Sequence, residues 1–504
     1  MRRLIVILGV PIDDLNMAET LDRLEEFVRI GRATGKTHQV ATVNADFVVK
    51  SLADPELRYL LQEADLATAD GMPLVWGARL LGVNLEGRVA GADMIPALAE
   101  RAAAKGLSVY FLGAAPGIAA QAAALLKEQY PDLIVAGVYS PPYSSVIDMD
   151  PAIIAEIKAA QPDILLVAFG NPKQEKWIGM YGRELAIPVM IGVGGTFDFI
   201  TGNTKRAPEW MQRTGLEWLH RLLMEPRRLW RRYAVDMVGF GAFFLRQWWV
   251  MRQGSTPTTL LPKTDLVIVQ DTAVLTIEGH LTVSNYGVFN QIAQEALTVT
   301  PYILVNLTDV VFLDSAVIGA LVGLTKQARD AHGDLWLVGA PTNIKQTLAL
   351  LRLDQFFEMV ATTDDGLALR HAHRQPVPAG GQIAAPQTAV PAPHAAADDQ
   401  DEISAPAWTI VKGPRRLDAT TATEMAETCV ALLDENPRVV LDLSETVLLA
   451  SAGLAALAQI SRNAIERSGE LRVANCSKDV LRVIQMVRFD KVLSLYSDVS
   501  AATS

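Results

Sequence analysis

The stretch Ile164-Leu-Leu-Val-Ala-Phe-Gly-Asn-Pro-Lys-Gln-Glu-Lys-Trp177 decides the fold class of the N-terminal half. An apolar run with strand character ends abruptly in a loop dense in hydrogen-bonding side chains. A second stretch repeats the arrangement with a nearly bare loop: Pro188-Val-Met-Ile-Gly-Val-Gly-Gly-Thr-Phe-Asp-Phe199, continuing to Lys205-Arg-Ala-Pro-Glu-Trp210. Open parallel sheets place their ligand sites at the carboxyl ends of strands, where the strand order switches. Two such ends, one polar and one glycine-rich, are expected to form halves of one cleft, so an enzyme is the leading reading of this half.

Working outward, further short β-rich runs lie at Leu4–Leu8, Gln39–Val43, Leu66–Thr68, Ser108–Leu112 and Leu133–Val138. Amphipathic helical runs separate them, at Ala18–Ile30, Asp93–Ala104, Gly117–Tyr130 and Ile153–Ala160. Strand–helix alternation predicts an α/β domain with a largely parallel sheet over residues 1–253. Residues 265–373 and 407–504 read as two smaller α/β domains. The Pro/Ala-rich stretch 374–406 between them cannot build a core and reads as a spacer. The small domains share a pattern, Tyr302-Ile-Leu-Val-Asn-Leu-Thr-Asp-Val-Val-Phe-Leu-Asp-Ser-Ala-Val-Ile-Gly319 against Val439-Val-Leu-Asp-Leu-Ser-Glu-Thr-Val-Leu-Leu-Ala-Ser-Ala-Gly453. Each is followed by a helical run and a Gly-Asp/Glu-Leu strand, which marks an internal duplication.

At 504 residues, two to four domains are expected. A net charge of −11 argues against nucleic acid as a partner. Cys429 and Cys476 make no disulfide framework, and a reducing cytoplasm is the simplest setting. The N-terminus begins like a signal peptide, but its apolar run is short and Asp13 and Asp14 follow, so a first strand is the better reading. No apolar run is long enough to span a bilayer.

No Gly-x-Ser-x-Gly elbow, P-loop or histidine cluster is present in the first half. Asp148-Met-Asp150 imitates an Asp-x-Asp metal motif, but its place beside a helix start favours a cap, and no metal or cofactor is expected. Leu112-Gly-Ala-Ala-Pro-Gly117 and Gly192-Val-Gly-Gly195 could each bring backbone N–H groups to a diphosphate, or serve structure alone. Thr42 and Asn44 alternate on one face of a strand end. Asp70, beside Gly71 at the next strand end, fits either a general base or a helix cap.

Several separated motifs resemble the WecG/TagA/CpsF family of bacterial glycosyltransferases (glycosyltransferase family 26). They are Thr42-Val-Asn-Ala45, Ala69-Asp-Gly71, Arg88-Val-Ala-Gly-Ala-Asp93, Phe111-Leu-Gly-Ala-Ala-Pro-Gly117, Pro172-Lys-Gln-Glu175 and Gly192-Val-Gly-Gly-Thr-Phe-Asp198, spread over residues 1 to about 235. The resemblance implies a Rossmann-like parallel sheet. It also implies inverting, metal-independent transfer of a sugar, N-acetylmannosamine or a relative, from a UDP donor to an undecaprenyl-diphosphate-linked acceptor. The family's catalytic aspartate matches Asp70, and its other functional positions match Thr42, Asn44, Arg88 and Gln174. In this reading Thr42 and Asn44 position groups near the base, Gln174 bonds sugar or acceptor, and Arg88 stabilises the departing UDP. Gly113, Gly117, Gly192, Gly194, Gly195 and Asp198 are the further expected substrate contacts.

A lipid-linked acceptor implies a membrane surface, here the cytoplasmic face of the bacterial inner membrane. Residues 213–252 interleave Arg213, Arg221, Arg227, Arg228, Arg231 and Arg232 with Trp218, Trp230 and Tyr233, followed by an apolar, aromatic run. Basic residues attract anionic headgroups and aromatic residues anchor at the interface. The alternative is a helix pair packed on the domain. The resemblance assigns membrane association and active-site arginines to this appendage, with Arg221, Arg228 and Arg231 as the expected diphosphate contacts.

The duplicated domains resemble STAS domains, the fold of anti-sigma factor antagonists. The serine that accepts phosphate in such antagonists is matched by Ala316 and Ala452, with Ser315 and Ser451 one position earlier. Loss of the acceptor in both copies implies constitutive docking, to a protein partner or another copy of the chain. The Phe356-Phe357 tail and helix 315–330 are candidate surfaces, with core packing the favoured reading. Two alternatives remain: a STAS-based regulatory or scaffold protein with a degenerate transferase domain, and a dinucleotide-dependent dehydrogenase, which would need a glycine-rich turn that Gly9-Val-Pro-Ile-Asp13 does not supply.

Overall fold

Strands β1 (Leu4–Ile7) and β2 (Val10–Asp13) form an antiparallel hairpin that stands apart from the main sheet. Leu4–Leu8 thus holds a first strand as expected, but its partner is the antiparallel β2 and not a strand of the main sheet. Leu8 and Gly9, the two residues of the turn, both have positive φ (50° and 86°), the conformation of a tight primed hairpin turn. The main sheet contains β3 (His38–Val43), β4 (Leu66–Ala69), β5 (Ser108–Gly113), β6 (Ile134–Tyr139), β7 (Ile164–Ala168) and β8 (Val189–Gly192). Its order is β4–β3–β8–β7–β5–β6, with every neighbouring pair parallel. The chain runs outward from β3 to β4, then crosses to β5, and β8 returns between β3 and β7. The carboxyl ends of β3, β4, β7 and β8 therefore lie together where the strand order switches, the position at which such sheets bind ligands.

The computed structural model describes residues 3–141, 151–208, 210–211, 216–224, 226–254, 263–374, 408–418, 421–467, 469–486, 489 and 493–503. These form two compact units. The first comprises Met1–Ala361 together with Arg416–Ala422 and Leu448–Ala455; the second comprises Thr362–Arg415, Thr423–Val447 and Ala456–Ser504.

In the first unit a second sheet has the order β13–β12–β11–β10–β9, from β9 (Lys263–Val269), β10 (Thr272–Leu281), β11 (Tyr302–Leu313), β12 (Asp334–Val338) and β13 (Glu358–Val360). Only β9 and β10 pair antiparallel. The Ser315–Asp330 helix follows β11. Its N-terminus is satisfied locally, because the Asp314 carboxylate accepts from Ala316 N and Val317 N. Phe356 and Phe357 are buried against each other in this domain's core, which decides for core packing over a free surface.

In the second unit, β14 (Thr409–Lys412), β16 (Arg438–Asp442), β18 (Glu470–Ala474) and β19 (Ser494–Tyr496) form a parallel sheet. The short parallel pair β15 (Arg416–Leu417) and β17 (Leu448–Leu449) belongs to the first unit. Burial pushes the thiols of Cys429 and Cys476 up to about 11, which suppresses thiolate reactivity.

Candidate functional site

At the carboxyl ends of the sheet lies a cavity of about 730 Å³ that gathers Thr42, Asn44, Asp70, Arg88 and Gln174. Each arrives there for a local reason. Thr42, near the end of β3, donates through Oγ1 to the Gly192 carbonyl (3.0 Å) and so ties β3 to β8. Asn44 is the N-cap of the Ala45–Ala53 helix, its Oδ1 accepting from Phe47 N (3.2 Å), which fixes the carboxamide at the cavity wall. Asp70 follows β4, and its backbone N–H donates to Val43 O (2.7 Å). Gly71 then adopts φ 138° and serves as N-cap of the Met72–Leu80 helix with no side-chain cap. Asp70 thus stands one residue before the cap position, and it lines the cavity.

Gln174 joins the two loops. Its Oε1 accepts from Gly170 N (3.1 Å) after β7 and from Gly194 N (2.9 Å) after β8. Its Nε2 donates to Glu175 Oε1 (2.7 Å). One residue thus fixes both strand-end loops, and it also lines the cavity. Gly192 must be glycine here, since a Cβ would lie 2.5 Å from Gln174 Nε2 and 2.6 Å from Glu175 Oε1. Glu175 is fully buried, and burial raises its carboxyl to about 8 against the opposing bond from Gln174. At neutral pH it is a protonated acid beneath the cavity floor.

On another wall, two arginines and two carboxylates alternate. Arg88 donates to Asp93 (3.1 Å) and to Glu217 (2.9 Å). Arg206 pairs with Asp93 through Nη1 and lies 3.8 Å from Glu217 through Nε. Its Nε and Nη2 are buried and make no hydrogen bond among the described residues. Arg206 also interacts electrostatically with Asp70. Such an arrangement holds two cations, each paired with Asp93 and Glu217, in the same cavity as Asp70.

The apolar lining has a different origin. Trp76 and Leu80 come from the Met72–Leu80 helix, and Met237, Phe240, Phe244 and Leu245 from the Pro226–Gly254 helix. Phe240 and Phe244 stack at 5.5 Å. Trp76, Leu80, Met237 and Leu245 are also substantially exposed, as are Val238 and Trp249 of the same long helix as Met237. Among the described residues no helix is long and apolar enough to cross a membrane.

Other expected residues lie elsewhere. Gly194 and Gly195 line the cavity, whereas Gly113, Gly117, Gly192 and Asp198 do not. A Cβ on Gly113 would meet Ala168 O at 2.8 Å, so that glycine serves the packing of β5 on β7. Arg221, Arg228 and Arg231 fall within helices, but their side chains lie outside the described residues, as do Asp148 and Asp150. Among the described residues no group of three or more His, Cys, Asp or Glu could hold a metal. Sequence reasoning did not single out Glu175, Arg206 and Glu217. Arg206 and Glu175 sit inside quoted stretches, but only the fold shows that one faces the cavity and the other lies beneath it.

The family model for WecG/TagA/CpsF glycosyl transferases matches residues 5–254, and that for STAS domains matches residues 263–366 and 397–502. Over 194 residues the chain is 36% identical to an N-acetylglucosaminyldiphosphoundecaprenol N-acetyl-beta-D-mannosaminyltransferase of Bacillus spizizenii, covering 38% of this chain and 73% of that protein. It is 32% identical over 225 residues to the protein of the same name from Bacillus subtilis, covering 44% and 84%. Among solved structures, an anti-sigma factor antagonist from Mycobacterium paratuberculosis matches at 17% identity with a TM-score of 0.20, covering 23% of this chain and 99% of that one.

Proposed function

The chain belongs to the WecG/TagA/CpsF family of glycosyltransferases and carries two STAS domains, and from that premise we propose that it transfers a sugar from a UDP donor to an undecaprenyl-diphosphate-linked acceptor, with inversion and without a metal. The observation that carries this reading is the shared cavity: Asp70 and the cations Arg88 and Arg206 lie together, beside an apolar wall suited to a lipid-linked substrate.

In this mechanism the acceptor hydroxyl gives its proton to the Asp70 carboxylate as its oxygen attacks the anomeric carbon of the donor. The bond from that carbon to the UDP oxygen breaks on the opposite face. Arg88 and Arg206 take up the growing negative charge on the diphosphate, as fixed cations in a partly desolvated site do most effectively. Asn44 offers its carboxamide NH2 to substrate, while Gln174 and Glu175 keep the two loops in place. The acceptor's prenyl chain lies along Trp76, Phe244 and Leu245. The exposed side chains of Leu80, Met237, Val238 and Trp249 rest on the inner face of the cytoplasmic membrane. The product would feed a surface polymer.

The test is a screen of UDP-sugars with a short-chain prenyl-diphosphate-GlcNAc acceptor, reading UDP release. Acceptor-dependent release with one N-acetylhexosamine donor is expected. Binding of NAD but not UDP would favour the dehydrogenase reading, and no turnover with intact UDP binding would favour a degenerate scaffold.

A further inference from the structure

The transfer chemistry makes no direct use of the STAS domains, yet the first is built into the catalytic unit. Strand β1 is buried on both faces, and strand alternation divides it between two cores. Ile5 and Ile7 pack in the transferase core with Val43 and Leu57. Leu4 and Val6 pack in the STAS core with Ile318 and Leu321. The contact closes to backbone distance: a Cβ on Gly319 would lie 2.3 Å from Leu4 O, and one on Gly9 would lie 2.2 Å from Leu351 O.

Gln247 locks this junction. It projects from the Pro226–Gly254 helix and is fully buried. Its Oε1 accepts from Leu8 N (2.8 Å), and its Nε2 donates to Val6 O (2.8 Å) and to Ser315 Oγ (3.2 Å). A buried carboxamide with these partners satisfied is costly to displace. One turn earlier on the same helix, Phe244 lines the cavity and packs on Gly77 of the Met72–Leu80 helix. The corresponding serine of the second repeat is also engaged inside the first unit: Ser451 donates through N and Oγ to the Glu56 carboxylate (2.6 and 2.8 Å).

We propose that the first STAS domain is an internal buttress of the acceptor side of the cavity: docked on β1, it sets the position of the Pro226–Gly254 helix through Ser315 and Gln247. These two are positioning residues, and their effect falls on the acceptor rather than the donor. The acceptor assignment rests on the transferase reading above; the mechanical coupling does not.

The experiment uses the full chain with Gly319→Ala and Ser315→Ala. Alanine is a better helix former than glycine by about 1 kcal/mol, so loosening in G319A reports the lost junction rather than a weakened helix. Hydrogen exchange is expected to quicken at residues 4–8 and 240–252 in both variants, more in G319A, with β5 unchanged. The acceptor KM is expected to rise about fivefold in S315A, the scale of one lost buried hydrogen bond, and by more in G319A, with the donor KM within about twofold in both. Unaltered exchange at 240–252 in both variants overturns the coupling, and an equal rise in both KM values overturns the acceptor assignment. If G319A does not fold, S315A decides by the same exchange reading. If the wild-type chain transfers no sugar, the transferase reading fails while exchange still decides the coupling.

Discussion

Replacing Glu175 with glutamine should make the protein more alkali-resistant. The Glu175 carboxyl is raised from 4.5 to about 8 by burial. The folded state therefore keeps a proton that the unfolded chain releases, and stability falls as pH rises from about 4.5 to about 8, then levels off. The full cost of the ionised carboxylate is on the order of 5 kcal/mol, at 1.36 kcal/mol per pKa unit. The substituted carboxamide in E175Q carries no such proton, and its oxygen can still accept from Gln174. Its NH2 replaces Oε2, which already lacks a partner, so the variant carries a roughly constant penalty of about 1–3 kcal/mol. The assay is thermal unfolding of both proteins from pH 5 to pH 9, reading the difference in Tm, which cancels the other titrating groups. At about 1–2 °C per kcal/mol for a unit of more than about 350 residues, the difference should move in favour of E175Q by roughly 4–8 °C across this range. A difference that does not change with pH would refute the neutral, buried state of Glu175.

Arg206→Ala should lower kcat/KM for the UDP-sugar by about 10–100-fold, the scale of a charge-assisted hydrogen bond, as measured by initial rates of UDP release. Arg206→Lys should restore little of it, because a point charge does not replace the planar fork. Val238→Asp with Trp249→Asp should weaken binding to anionic vesicles by about tenfold or more in a sedimentation assay, since both side chains are largely exposed on the proposed membrane face. Binding of the wild-type chain should weaken as salt rises, because its basic appendage is attracted by screened charges.

The parallel sheet was legible because Ile164–Ala168 and Val189–Gly192 are short apolar runs ending in loops of opposite character. The strand-end positions of Thr42, Asn44 and Asp70 were legible from the spacing, and the three line one cavity, but their roles rest on the family resemblance. The role of β1 was not: its residues read as a strand, but alternation cannot say that its two faces enter different cores. Gln247 was hidden for the same reason, since a glutamine among Arg246, Trp248 and Trp249 reads as surface until the docked hairpin buries it. Arg206 and Glu217 approach Arg88 and Asp93 only through long-range folding, and no spacing rule joins them.

The proposed mechanism turns on Asp70 taking the acceptor proton. The most direct measurement is single-turnover sugar transfer by Asp70→Asn beside calorimetric binding of the UDP-sugar. Donor affinity is expected within a few-fold of wild type, with transfer slowed by about 100-fold or more, the scale of a lost general base. Transfer at the wild-type rate by a folded D70N enzyme would contradict it.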